Sequence, residues 1–194
     1  MTRWLTSIVL AAGFLAVGQA QAQQPVEVEG QKFEPTVAVG GQNLSLNGVG
    51  LRKRAIFKVY VAGLYAGQKS TNAATIVNDK GARRVSLRML RDVEAQSFID
   101  SFNEGLKNNT PEAQLNAMKP QVDALVATLK SIGEAKKGDV INFDFTPDGG
   151  TRITLNGQPK GNPIPGADFF SAVLRIWLGD KPADETLKKG MLGA

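Results

Sequence analysis

Between Ile56 and Ala66 (IFKVYVAGLYA) apolar residues fall on both parities of the chain, so no wet face separates from a dry one. Val59, Tyr60, Val61 and Tyr65 suit a pleated strand, and a strand that is apolar on both faces needs cover above and below. The pattern predicts the middle strand of a sheet. Phe57, Val59 and Val61 would point one way, and Ile56, Tyr60, Ala62 and Leu64 the other. Ahead of it, residues 24–34 (QPVEVEGQKFE) alternate Val26 and Val28 with Glu27 and Glu29 and turn at Gly30, which predicts an edge hairpin. Thr36 to Val39, the Gly40-Gly41 pair and Asn43 to Leu46 repeat that pattern.

Downstream the period changes. A short helix is expected over Ala73 to Val77, capped by Ser70 or Thr71 and followed by Gly81. Arg83 to Leu90 reads as a strand, with Val85, Leu87 and Met89 on one face and Arg84, Ser86 and Arg88 on the other. Asp92 is the expected cap of a helix whose Phe98, Phe102 and Leu106 recur every four residues. Asn108-Asn109 breaks it, and Thr110-Pro111 restarts a helical stripe of Leu115, Met118, Val122, Leu125, Leu129 and Ile132, which Pro120 should kink or split. Such a stripe reads as core packing rather than a partner or membrane face. Asp139 to Phe145 alternates cleanly, with Ile141, Phe143 and Phe145 inward. Turns at 147–150 and at Asn156-Gly157 then predict an antiparallel meander through Thr151 to Leu155 and Gln158 to Ile164. Helices over Phe169 to Leu178 and about Ala183 to Lys189 close the chain. This order argues for an α+β domain with antiparallel pairing and helices on one face.

Composition narrows the chemistry. The 194 residues suffice for one domain with its own core. Arg3, the apolar run Leu5 to Val17 and Ala20-Gln21-Ala22 have the form of a cleavable export signal over residues 1–22, leaving a domain over 23–194 in the periplasm or secreted. The run is too short to favour a permanent membrane span. There is no cysteine, hence no disulfide, no thiolate nucleophile and no lipid-anchoring Cys at the cleavage point. There is no histidine either, which removes the commonest general base and metal ligand. A net charge of +5, spread along the chain, gives no nucleic-acid footprint; the one dense cluster is Arg52-Lys53-Arg54. Gly48-Val49-Gly50 lacks the third glycine and the strand-to-helix crossover of a dinucleotide loop. No metal-ligand grouping or cofactor motif is apparent, and the chain is read as a monomer.

What remains is Arg52 with Tyr60, with Lys58 nearby on the nominal face of Tyr60. A guanidinium grips a carboxylate or enolate-like oxygen in two-pronged fashion, and a phenol adds a hydroxyl donor. Spacing alone favours the plainer alternative, an exposed arginine beside a core-packed tyrosine.

The stretch Leu46–Gly67 (LNGVGLRKRAIFKVYVAGLYAG) resembles the chalcone-isomerase-like family, bacterial members especially, whose pattern is Gly-x-Gly-apolar-Arg followed by a strand ending in Gly-apolar-Tyr. Here these are Gly48-Val49-Gly50-Leu51-Arg52 and Gly63-Leu64-Tyr65. The likeness continues through Leu90-Arg91-Asp92-Val93, the helix ending near Leu129-Lys130, the meander Ile141 to Leu155, and Phe170 to Gly179. The resemblance implies an open-faced β-sandwich, a large antiparallel sheet covered by a layer of helices, with a ligand cleft between them. It also implies one of two functions. Plant members cyclise chalcones using an arginine, a strand threonine, a helix tyrosine and asparagine, and a late threonine or serine. Another branch binds fatty acids through the arginine and a strand tyrosine. Arg52 matches the family arginine and Tyr60 the strand position, as in the fatty-acid-binding branch. Glu94, Ser101 and Ile176 fall where the cyclases carry tyrosine, asparagine and threonine. The resemblance therefore implies a small amphipathic carboxylate held by Arg52 and Tyr60, its tail along Phe98, Phe102 and Trp177. The alternative is an intramolecular lyase acting on a chalcone-like phenol, with Arg52 as its electrostatic guide.

Overall fold

The two-faced strand read from the sequence exists and is covered on both sides. A computed structural model describes residues 24–194; the export segment read over residues 1–22 lies outside the described residues. A small hairpin, β1 (Val26–Val28) and β2 (Gln31–Phe33), comes first, turning at Glu29-Gly30 with both φ positive. Seven strands then form one antiparallel sheet in the order of the chain: β3 (Thr36–Val39), β4 (Gln42–Arg54), β5 (Phe57–Ala66), β6 (Arg83–Met89), β7 (Val140–Thr146), β8 (Gly150–Leu155) and β9 (Gln158–Ile164). The strand read as the middle one, β5, is an interior strand, paired to β4 and β6, and β6 occupies the centre.

Six helices complete the fold of the described residues: α1 (Ala73–Asn78), α2 (Ala95–Asn109), α3 (Glu112–Ala117), α4 (Lys119–Ile132), α5 (Ala167–Leu178) and α6 (Glu185–Leu192). Their apolar stripes share one core with one face of the sheet. Tyr60, Ala62 and Leu64 of β5, Val85, Leu87 and Met89 of β6, and Ile141, Phe143 and Phe145 of β7 meet Phe98, Phe102, Leu125, Leu129, Phe170 and Trp177 there. The opposite face of β5 has its own smaller core, in which the β1–β2 hairpin lays Phe33 against Val61 and Tyr65. Gly63 makes that possible, because a Cβ there would run into the Phe33 ring.

Several local expectations are corrected. Asn72, not Ser70 or Thr71, caps α1, its side chain accepting from Thr75 N at 3.2 Å. Asp92 does not cap α2; it accepts from Lys137 N at 2.7 Å, and so ties down the loop before β7 while α2 starts after Glu94. Pro111, rather than Thr110, stands at the cap of α3. Pro120 does split the next stripe, sitting in the first turn of α4, where its missing N–H is harmless. α6 begins two residues later than expected because Asp184 caps it, accepting from Leu187 N at 2.9 Å. Arg83 falls in the apolar row of β6 and is fully buried. Its guanidinium lies beside the stacked rings of Phe145 and Phe170 and donates to carbonyls at the end of α1, Ile76 O at 3.1 Å and Val77 O at 3.2 Å. Burial lowers its pKa to about 10.

The Gly48-Val49-Gly50 segment, whose glycines suggest a turn ahead of the strand, is part of β4 itself. A Cβ on Gly48 or Gly50 would meet the backbone of α6 at Gly190 and Leu187. These glycines therefore exist for a helix lying directly on a strand, which side chains would hold off. The chain turns afterwards, at Ala55-Ile56, with Ala55 at φ 52°.

Candidate functional site

Because β4 runs on to Arg54, Arg52 is the direct cross-strand partner of Tyr60 rather than a residue of a preceding turn. Both side chains leave the sheet on the helix side. The register then slips, so that Lys53 pairs with Lys58 and Val59 is the extra residue. A bulge of this kind puts two successive side chains on one face. Val59 therefore joins Tyr60, contrary to the alternation expected from the sequence. Lys58 turns away to the hairpin side, where its Nζ meets Glu29 Oε2 at 2.6 Å. The structure thus brings Arg52 and Tyr60 together and removes Lys58.

They meet in a cleft of about 430 Å³ between sheet and helices. Val59, Tyr60, Phe98, Phe102, Ile176 and Trp177 supply its apolar lining. Phe102 packs edge-on to Trp177 at 5.6 Å between ring centroids and tilted against Phe98 at 5.2 Å, which fixes that lining in place. Arg52, Arg54 and Arg91 face Asp92, Glu94 and Glu134 around the same cleft. Cations and carboxylates balance, so an anion is not drawn in by net charge. Among the cations without an ion pair, Arg52 is the one that is partly withdrawn from water, Arg54 and Arg91 being exposed.

Tyr60 is 4% exposed, and its hydroxyl sits at the junction of sheet and helix layer. Trp177 donates its indole N–H to that oxygen at 2.9 Å, and Arg52 Nη1 donates to it at 3.4 Å. A phenolic oxygen has two acceptor positions and one proton. Both acceptor positions are used, and the proton is left without a protein acceptor among the described residues. Arg52 is half-buried, 5.7 Å from the Tyr60 ring centre, and makes no ion pair among the described residues. Two of the three carboxylates are engaged elsewhere, Asp92 with Lys137 N and Glu134 with Lys136 Nζ at 2.9 Å, while Glu94 is exposed and makes no ion pair among the described residues. The result is a partly desolvated cation with spare N–H groups beside a phenol free only to donate. Chemically, such a set can hold an electron-rich oxygen, best a carboxylate.

The positions aligned with the plant cyclase residues, Glu94, Ser101 and Ile176, also line this cleft. None carries the cyclase group. Ser101 returns its hydroxyl to Ser97 O at 2.9 Å, and Ile176 offers no polar atom. Sequence reading assigned Trp177 only to the apolar tail and missed its bond to Tyr60. The available signal was general: a buried indole must place its N–H on an acceptor, and few polar side chains lie among the apolar residues of this core. The acidic residues of the cleft went unnoticed as well, being scattered along the chain.

The family model for chalcone isomerase-like proteins matches residues 25–193. No curated protein matches the chain. Among solved structures, a fatty-acid binding protein of Arabidopsis thaliana superposes with a TM-score of 0.67 at 17% identity, covering 87% of this chain and 96% of its own. That likeness extends over the large antiparallel sheet and its helical cover.

Proposed function

Since the chain belongs to the chalcone isomerase-like family, we propose that its cleft holds a fatty acid or similar amphipathic carboxylate, with Arg52 and Tyr60 at the head group. The observation that carries this reading is the pairing of Arg52, which has no carboxylate partner among the described residues, with a Tyr60 hydroxyl whose acceptor positions are filled. A carboxylate takes both spare donors at once. Its chain then lies along Phe98, Phe102 and Trp177, which removes apolar surface from water. That a structurally similar protein binds fatty acids supports the reading at the level of the fold.

The alternative, ring closure of a chalcone-like phenol guided by Arg52, needs a proton carrier. The cyclase tyrosine position holds Glu94 and the late hydroxyl position holds Ile176. Loss of chalcone absorbance on mixing, abolished in Arg52→Gln, would establish that activity.

The direct test is to purify the protein, extract it with organic solvent and identify what it carries by mass spectrometry. A fatty acid is expected in stoichiometric amount, and its absence from Arg52→Ala. An empty cleft, or a neutral lipid retained by Arg52→Ala, would overturn the reading. We further infer that the protein works outside the cytoplasm after cleavage following Ala22. N-terminal sequencing of the cellular protein should then begin at Gln23, and a start at Met1 would contradict it.

A further inference from the structure

The cleft is bordered by the turn that carries the most exposed large apolar residues among those described. Ile56 and Phe57, at the β4–β5 turn, are 87% and 53% exposed, and only Val26 among the other large apolar residues described is comparably open. Two adjacent large apolar side chains are thus held out into solvent at one turn. The chain accepts a positive φ at Ala55, a non-glycine residue, to make the turn that carries it. The residues flanking the turn belong to the cleft: Arg52 and Arg54 on one side, Val59 and Tyr60 on the other.

The apolar tip wears a basic collar. Lys53, Arg54 and Arg91 are exposed and have no ion pair among the described residues. The Arg91 guanidinium lies 4.7 Å from the Phe57 ring centre, so apolar tip and collar form one surface. Lys58 is offset by Glu29, and Asp184 accepts from the backbone of Lys53 at 3.1 Å. The cations next to the apolar tip are therefore Lys53, Arg54 and Arg91, each without an ion pair among the described residues, while the carboxylates Asp92, Glu94 and Glu134 line the cleft. Two protruding apolar side chains within a ring of unpaired cations match an anionic bilayer surface, into which the apolar groups dip while the cations stay among the head groups.

We propose that the β4–β5 tip docks on anionic phospholipid membranes and presents the mouth of the cleft to the bilayer, from which an amphipathic carboxylate enters or leaves. The docking stands on the tip itself; its purpose rests on the reading of the cleft given above.

The chain has no cysteine, so a single introduced thiol can be labelled cleanly. Full-length Ile56→Cys and Asp148→Cys would each carry an environment-sensitive fluorophore. Asp148 lies in the exposed β7–β8 turn at the opposite end of the sheet, so the two probes report opposite poles of one molecule. Vesicles of phosphatidylcholine with and without phosphatidylglycerol are then titrated in, and dodecanoate binding is measured separately without vesicles. The position-56 probe is expected to enter an apolar environment on anionic vesicles while the position-148 probe stays in water. Lys53→Glu with Arg54→Glu should raise the lipid needed for half-saturation by about tenfold or more. A silent position-56 probe, an equal response from both probes, an equal response to neutral vesicles, or a response to protein concentration alone, as from a second copy, would each overturn the docking. If docking fails while dodecanoate binds, only this inference falls. If dodecanoate fails while the tip docks, the reading of the cleft falls instead.

Discussion

Tyr60 has one proton left to give, and the side chains around it arrange this. Trp177 and Arg52 both donate to its oxygen, so the hydroxyl cannot turn inward to accept from a ligand and can only donate outward. Tyr60→Phe should therefore weaken binding of a carboxylate by about three- to tenfold, the worth of one neutral hydrogen bond, in a calorimetric titration. It should also cost about 1–3 kcal/mol of stability in urea unfolding, because the buried Trp177 N–H is left unpaired. Tyr65, on the other face of β5, is a purely structural phenol. Burial raises its pKa from 10.0 to about 12. A phenol kept neutral in this way contributes stability that is complete below pH 10 and is lost as pH climbs toward 12. Tyr65→Phe should flatten the fall in stability over that alkaline window, which chemical denaturation at several pH values would reveal. An undiminished slope would assign the alkaline loss to other groups.

The elements show what a sequence pattern can and cannot report. β5 was legible as a two-faced strand because its own residues carry that information on both parities, and the structure supplies both covers. The meander β7–β8–β9 was legible because alternation and the Asn156-Gly157 turn agree; both turn residues take positive φ. The true length of β4 was not legible. Gly48 and Gly50 look like turn residues until α6, well over a hundred positions away, is seen resting on them. The bulge at Val59 was equally hidden, since register depends on the partner strand. Both features decide the site: the first makes Arg52 a neighbour of Tyr60, and the second sends Lys58 to Glu29. Gly50→Ala tests the close approach. The added methyl would sit about 2.9 Å from Leu187 Cα and closer still to its carbonyl oxygen, backbone that cannot swing aside. A loss of about 1–3 kcal/mol on thermal or urea unfolding is expected. Unchanged stability would contradict a close contact between α6 and β4 at Gly50.

Across the whole molecule, the sheet separates two jobs. One face carries the structural hairpin core with Phe33, and the other carries the helices and, at the edge of their core, the cleft. The presence of an arginine and a tyrosine suited to a carboxylate was legible only through family resemblance, because spacing by itself favoured two unrelated residues. Their direct pairing across strands, the indole behind them and the apolar tip beside them exist only once the chain is folded. The ligand's charged end and its apolar chain must both matter if this arrangement is the working one. The most direct measurement is therefore a paired titration with dodecanoate and its methyl ester, in the native protein and in Arg52→Ala. The native protein should prefer the acid by about tenfold to a hundredfold, as befits a charge-assisted bond, and Arg52→Ala should bind both alike. Equal binding of acid and ester by the native protein, or a preference for the acid that survives the loss of Arg52, would contradict the account.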